Sequence, residues 1–336
     1  MSTKTRYPIV MLLMGALVGL TALFSQLFVQ PTPAQTLAPG AAQVVEQFYP
    51  QRLVAESEED FRQGGPPPFR ASGFLQVDLE SAGVERFIVA AYTNGFSAVV
   101  RVLKRQNGGF VLVDEPNLRL MAGVFPQVER LDLDNDGRPE IVVRFSSARG
   151  PRSTWIFRWT GAQLVPIGPL SVDENGDVST ELTEASFIDV DGDGTLEIVQ
   201  PESNGPVAPG ETEITFSPPK IYRLTGGRFV FDQELIFLAS FTRGTGPPQT
   251  ESRSFSVPAS AGAFVVKIVN GERGGRNRVS SARIRLNGTS IAGPSDFNQQ
   301  VGSKSVQVLL KEENVLEAEL ASKPGGKLTI LVSPVR

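Results

Sequence analysis

Hydrophobic and polar residues alternate in short runs along most of this chain, and only a stretch near its start departs from that pattern. Gln127-Val128-Glu129-Arg130-Leu131 and Glu140-Ile141-Val142-Val143-Arg144-Phe145 alternate or run β-branched, as half-buried and fully buried strands do. The runs Val99 to Leu103, Trp155 to Trp159 and Lys220 to Leu224 each lead through a turn (Asn107-Gly108-Gly109, Thr160-Gly161, Thr225-Gly226-Gly227) into a second apolar run. Each predicts a β-hairpin. Further alternation in Phe264 to Val269, Arg283 to Leu286, Val306 to Leu310, Val315 to Leu320 and Lys327 to Val332, with turns at Asn270-Gly271 and Asn287-Gly288, predicts a β-sandwich. Helical spacing is confined to residues 41–62. There Val44, Val45 and Phe48 share a face, Pro50 interrupts, and Leu53, Val54 and Phe61 follow, so this segment is expected to pack on the first β unit.

One acidic stretch recurs between strands. Asp132-Leu133-Asp134-Asn135-Asp136-Gly137-Arg138-Pro139-Glu140 returns as Asp189-Val190-Asp191-Gly192-Asp193-Gly194-Thr195-Leu196-Glu197. Both copies carry Asp at positions 1, 3 and 5, Gly at 6 and Glu at 9. Carboxylates at every second residue need a counter-charge, and a hard dication that takes six to eight oxygens supplies one. The predicted ligands are Asp132, Asp134, Asp136, the carbonyl of Arg138 and Glu140, and likewise Asp189, Asp191, Asp193, the carbonyl of Thr195 and Glu197: two Ca²⁺ sites. An EF-hand is excluded, because position 12 is Val143 or Gln200 rather than Glu and the flanks read as strands. An eroded third copy begins at Asp78, with Glu80 at position 3 and Gly83 at position 6, but Ala82 at 5 and Arg86 at 9. This copy is expected to bind no metal, Arg86 neutralising Asp78 and Glu80 in its place. Asp78, Asp132 and Asp189 stand 54 and 57 residues apart, a period that suits one four-stranded blade.

A calcium loop held between two strands resembles the FG-GAP or VCBS repeat of integrin-type β-propellers and many secreted bacterial proteins. The resemblance implies calcium held by positions 1, 3, 5, 7 and 9, although that family usually has Asp at 9. It also implies three propeller blades, open or partial, over residues 73–241, and with the C-terminal β-sandwich read from alternation over 255–336 the expected fold is all-β. Residues 242–254 read as a linker and 35–72 as a helical segment with the stiff linker Gly64-Gly65-Pro66-Pro67-Pro68. The last quarter is similar to a module of secreted bacterial surface proteins, with no chemistry attached. Three blades are fewer than closed propellers use, which leaves an open array, closure by other segments, or half of an oligomer.

The start of the chain changes the compartment. Lys4 and Arg6 precede an apolar run from Ile9 to Phe24, and Thr32-Pro33-Ala34 offers a small-residue cleavage site, so residues 1–34 read as a signal peptide. Left uncleaved, the same segment would be a membrane anchor. The chain has no Cys and no His, which removes thiol chemistry, Ser-His-Asp and Cys-His nucleophiles and His-ligated zinc. Residues 251–336 hold twelve Lys or Arg against seven Asp or Glu, a net of +5, leaving −11 on residues 35–250.

The reading is therefore an exported, calcium-stabilised binding or structural protein of the envelope, without catalytic residues and without nucleic acid as partner. The Arg cluster Arg273, Arg276, Arg278, Arg283 and Arg285 suits an anionic envelope glycan or, more blandly, the chain's own acidic part. A surface protein or self-association are the other partners, and a calcium-dependent glycan lyase or hydrolase, or a subunit completing a larger propeller, are the other functions. Trp155, Phe157 and Trp159 read as core between sheets before they read as a sugar platform. Asp173 to Asp177 reads as a solvated turn.

Overall fold

The computed structural model describes residues 40–335 apart from 117–119, 122–124, 147–151, 173–177, 192, 202, 205–215, 258–261 and 273–274. The segment read as a signal peptide, the acidic turn at 173–177 and Arg273 lie outside the described residues. Among the described residues, no helix is long and apolar enough to cross a membrane.

Two helices come first, α1 (Ala41–Gln47) and α2 (Gln51–Arg62), with Pro50 as the N-cap of the second. Proline has no N–H to donate and ends one helix while starting the next at little cost. Three antiparallel meanders follow. Sheet one holds β1 (Ala71–Val77), β2 (Phe87–Thr93), β3 (Ser97–Gln106) and β4 (Gly109–Asp114). Sheet two holds β5 (Phe125–Leu131), β6 (Glu140–Ser146), β7 (Ser153–Trp159) and β8 (Leu164–Pro166). Sheet three holds β9 (Ser186–Ile188), β10 (Glu197–Gln200), β11 (Lys220–Thr225) and β12 (Arg228–Glu234).

Short strands Leu120–Met121 and Leu182–Thr183 extend sheets one and two, two small pairs (Ser171–Val172 with Val178–Ser179, Ser203–Asn204 with Phe216–Ser217) stand apart, and the strands from Phe237 on form two facing sheets. They are β13 (Phe237–Thr242), β14 (Thr250–Ser256), β15 (Ala263–Asn270), β16 (Ala282–Leu286), β17 (Thr289–Ala292), β18 (Ser303–Leu309), β19 (Glu313–Leu320) and β20 (Lys327–Pro334). One sheet runs β13-β20-β15-β18 and the other β14-β19-β16-β17. This moves the expected boundary. β13, placed by its sequence at the end of the repeats, pairs from Phe237↔Val332 to Thr242↔Lys327. β14, most of it in the expected linker, pairs with β19 from Thr250↔Glu319 to Ser256↔Glu313. Partners 57 to 95 residues away are invisible to local pattern.

The sheets stack because strand side chains alternate between faces. Phe87, Val89 and Ala91 of β2 pack on Ile141, Val143, Phe145, Trp155 and Phe157 of sheet two, while Ile88, Ala90 and Tyr92 pack on Val45, Tyr49 and Leu53 of the helical segment. Val142 and Ile156 turn the other way, onto Ile198 and Phe229 of sheet three. Val199 and Ile221 of sheet three then meet Val269 and Leu331 of the β13-β20-β15-β18 sheet. Phe264, Val266 and Ile268 face inward to the sandwich core. The layers therefore run helices, sheet one, sheet two, sheet three, sandwich. No sheet closes on itself among the described residues. At Gly73 of β1 an added Cβ would stand 2.2 Å from the Pro126 carbonyl oxygen, so sheets one and two touch there backbone to backbone.

Candidate metal centre

Each acidic loop joins the first two strands of its sheet: Asp78 between β1 and β2, Asp132 between β5 and β6, Asp189 between β9 and β10. The loops turn alike. Position 6 is a glycine in the left-handed region in all three, at φ 74° (Gly83), 84° (Gly137) and 92° (Gly194). Position 4 is left-handed at Ser81 and Asn135. The side chain at position 1 accepts the position-6 N–H in every copy: Gly83 to Asp78 at 2.6 Å, Gly137 to Asp132 at 3.2 Å and Gly194 to Asp189 at 3.2 Å. The position-5 carboxylates accept the position-7 N–H, Arg138 to Asp136 and Thr195 to Asp193, both at 2.7 Å. Loops two and three are neighbours, with Leu196 donating its N–H to the Leu133 carbonyl at 2.7 Å.

In loop two, one oxygen each of Asp132, Asp134 and Asp136 lie within 4.8 Å of one another, and in loop three one each of Asp189, Asp191 and Glu197 do the same. Oxygens sharing a Ca²⁺ at 2.3–2.6 Å stand at most about 5 Å apart, so both sets fit one ion, and the hard, all-oxygen donors match calcium. Such a group could hold a metal; when bound, the ion would neutralise carboxylates that otherwise repel.

The ninth residue differs from its simple expectation. Glu140 and Glu197 are buried, with side chains 1% and 2% exposed. Each turns inward to take the position-2 N–H, Leu133 at 2.8 Å and Val190 at 2.7 Å. Burial raises both carboxyls above their ordinary range, Glu197 to about 7, with the Val190 N–H pulling down and Asp191 pushing up. Glu197 still joins its loop's converging set, whereas the set in loop two is formed without Glu140.

The structure adds partners that sequence reading missed. Arg158 of β7 binds Asp134 and Glu140, both at 2.7 Å. Arg223 of β11 binds Asp191, Glu197 (3.1 Å) and Asp232 (2.8 Å). Burial would raise Asp191, yet Arg223 more than offsets it and holds the carboxyl below its usual range. In loop one the built-in cation is Lys104, 2.7 Å from Glu80, and not Arg86. Arg86 is exposed and makes no ion pair with Asp78 or Glu80 among the described residues, which corrects the expectation. A signal was present: Arg is the fourth residue in both Trp155-Ile156-Phe157-Arg158-Trp159 and Lys220-Ile221-Tyr222-Arg223-Leu224.

Elsewhere, Trp155 and Phe157 are buried between sheets one and two, as expected of core. Arg278 donates to the Gln299 carbonyl and Arg283 pairs with Glu319 at 3.3 Å, so part of the Arg cluster serves the sandwich itself.

The fold is thus all-β, with paired acidic loops at equivalent places in adjacent sheets. Residues 132–199, which span both complete loops, match the FG-GAP-like repeat family model. No curated protein matches the chain. Among solved structures, a family 35 carbohydrate binding module from Clostridium thermocellum aligns at 12% identity over 45% of this chain and 99% of its own, with a TM-score of 0.18. The GH31 alpha-xylosidase Xac1773 from Xanthomonas citri aligns at 9% identity over 78% of this chain and 38% of its own, also at 0.18. Neither score carries an assignment.

Proposed function

We propose that this chain is an exported, calcium-stabilised binding or structural protein of the bacterial cell envelope, with three blade-like repeats in an open array. The observation that carries the reading is the pair of converging carboxylate sets in equivalent loops, inside the segment that matches the FG-GAP-like repeat. Calcium acts as a staple. Binding the folded state alone adds about 2.7 kcal/mol at roughly a hundredfold excess over Kd. Calorimetry should find two sites in the wild type and one in each of Asp132→Asn and Asp189→Asn, and excess chelator should lower Tm. Unchanged melting in chelator would defeat the reading.

The ligand class we favour is an anionic envelope glycan, met by the net +5 of residues 251–336. Exposed charges are screened by salt, so retention of the whole protein on such a polysaccharide should fall as salt rises, with or without calcium. Turnover of the polymer would instead favour a lyase or hydrolase. The reading as a subunit of a larger propeller loses its motive, because the apolar outer faces of sheets one and three are already covered by the helices and the sandwich.

A further inference from the structure

Resting on the calcium reading, we propose that Arg158 and Arg223 are resident counter-cations of the two loops. They hold the carboxylates at positions 3 and 9 together when calcium is absent, and they weaken its binding when it is present. Each guanidinium bridges the same two positions: Asp134 with Glu140, and Asp191 with Glu197. Neither arginine belongs to its loop. Arg158 stands one step beyond the Ile141↔Phe157 pair and Arg223 one step beyond Ile198↔Tyr222, so the ladder between strands fixes both whether or not an ion is bound. The eroded loop keeps a different cation: the ladder position of Arg158 and Arg223 belongs there to Arg105, one step beyond Phe87↔Lys104, and it is Lys104 that pairs with Glu80 at position 3.

The two loops are not countered equally. Lys267 of β15 shares a strand face with Val269, and its ladder partner is Leu331. Val269 and Leu331 both belong to the cluster that includes Val190, the second residue of loop three. The sandwich thus brings a second positive charge to Asp189, Asp191 and Glu197, while Arg223 is itself anchored on Asp232.

The test compares the full-length wild type with Arg158→Gln, Arg158→Lys and Arg223→Gln. Calcium titrations give Kd, and melting is followed in excess chelator and in saturating calcium. Each Gln variant should tighten its own site about tenfold, more than Arg158→Lys does. Each should lose Tm in chelator and regain most of it in calcium, when the ion replaces the missing charge. Unchanged or weaker affinity overturns the proposal, and so does an equal loss of Tm in both conditions, which would make the arginines merely structural. If the wild type binds calcium and the variants do not differ from it, the proposal alone fails. If neither the wild type nor any variant takes up calcium, the calcium reading fails and the proposal with it.

Discussion

At the residue scale, what was legible is what is local. Asp at alternate positions followed by glycine dictates a turn with converging oxygens, and Gly137 and Gly194 do adopt the left-handed backbone that such a turn needs. What escaped depends on strand register. Nothing near Glu140 in sequence names Arg158 as its partner, and the choice of Lys104 over Arg86 follows from which side chain the ladder brings to Glu80. Glu181 lies outside the loops and tests the same electrostatics. Burial raises its carboxyl, only partly offset by the Ser153 hydroxyl that donates to it. For a raised folded pKa, the stability contributed is fully present below the unfolded value, about 4.3, and is lost as pH rises through the folded one. Glu181→Gln should therefore raise Tm at pH 7, and the gain should fade as the pH falls through the raised folded value and be gone by about 4. A gain that persists undiminished at low pH would refute a charge origin.

Strands were legible as elements, because alternation and glycine turns report a pleated, half-buried backbone without reference to the rest of the molecule. Their partners were not, and β13 shows why: its residues read like the end of a repeat and pair with the last strand of the chain. The helical segment was expected on the first unit, and it does cover sheet one. Leu53 is buried there beside Tyr92, whose hydroxyl donates to the Val45 carbonyl at 3.1 Å. Leu53→Ala should cost about 2–5 kcal/mol in a denaturant titration, the usual range for an emptied core site. Gly73→Ala probes the joint between two elements. Its backbone is ordinary strand, so any loss comes from the Pro126 carbonyl in the way. The expected cost is about 1–3 kcal/mol, typical of overpacking. A neutral result would show that sheets one and two slide apart freely.

At the scale of the whole molecule, every layer depends on its neighbours. Three meanders need not close, because the helices cover one end of the stack and the sandwich covers the other. That ordering was not legible: a strand buried on both faces announces two neighbours without naming either. The consequence is cooperative unfolding. Both tryptophans, Trp155 and Trp159, lie in sheet two, so their fluorescence follows the middle of the stack, whereas far-UV circular dichroism follows all the strands. The two midpoints should coincide in the wild type. The joint between sheet three and the sandwich is the place to break this. Leu331 is 2% exposed and faces Val190, Val199 and Ile221, on the opposite side of its sheet from the sandwich core. Leu331→Glu would bury an uncompensated charge there and undock the sandwich while sparing the inward-facing Ile330 and Val332. Fluorescence and dichroism midpoints should then separate, and calcium affinity at loop three should rise as Lys267 withdraws. Coincident midpoints in the variant at wild-type stability would mean that the sandwich does not share its folding with the sheets.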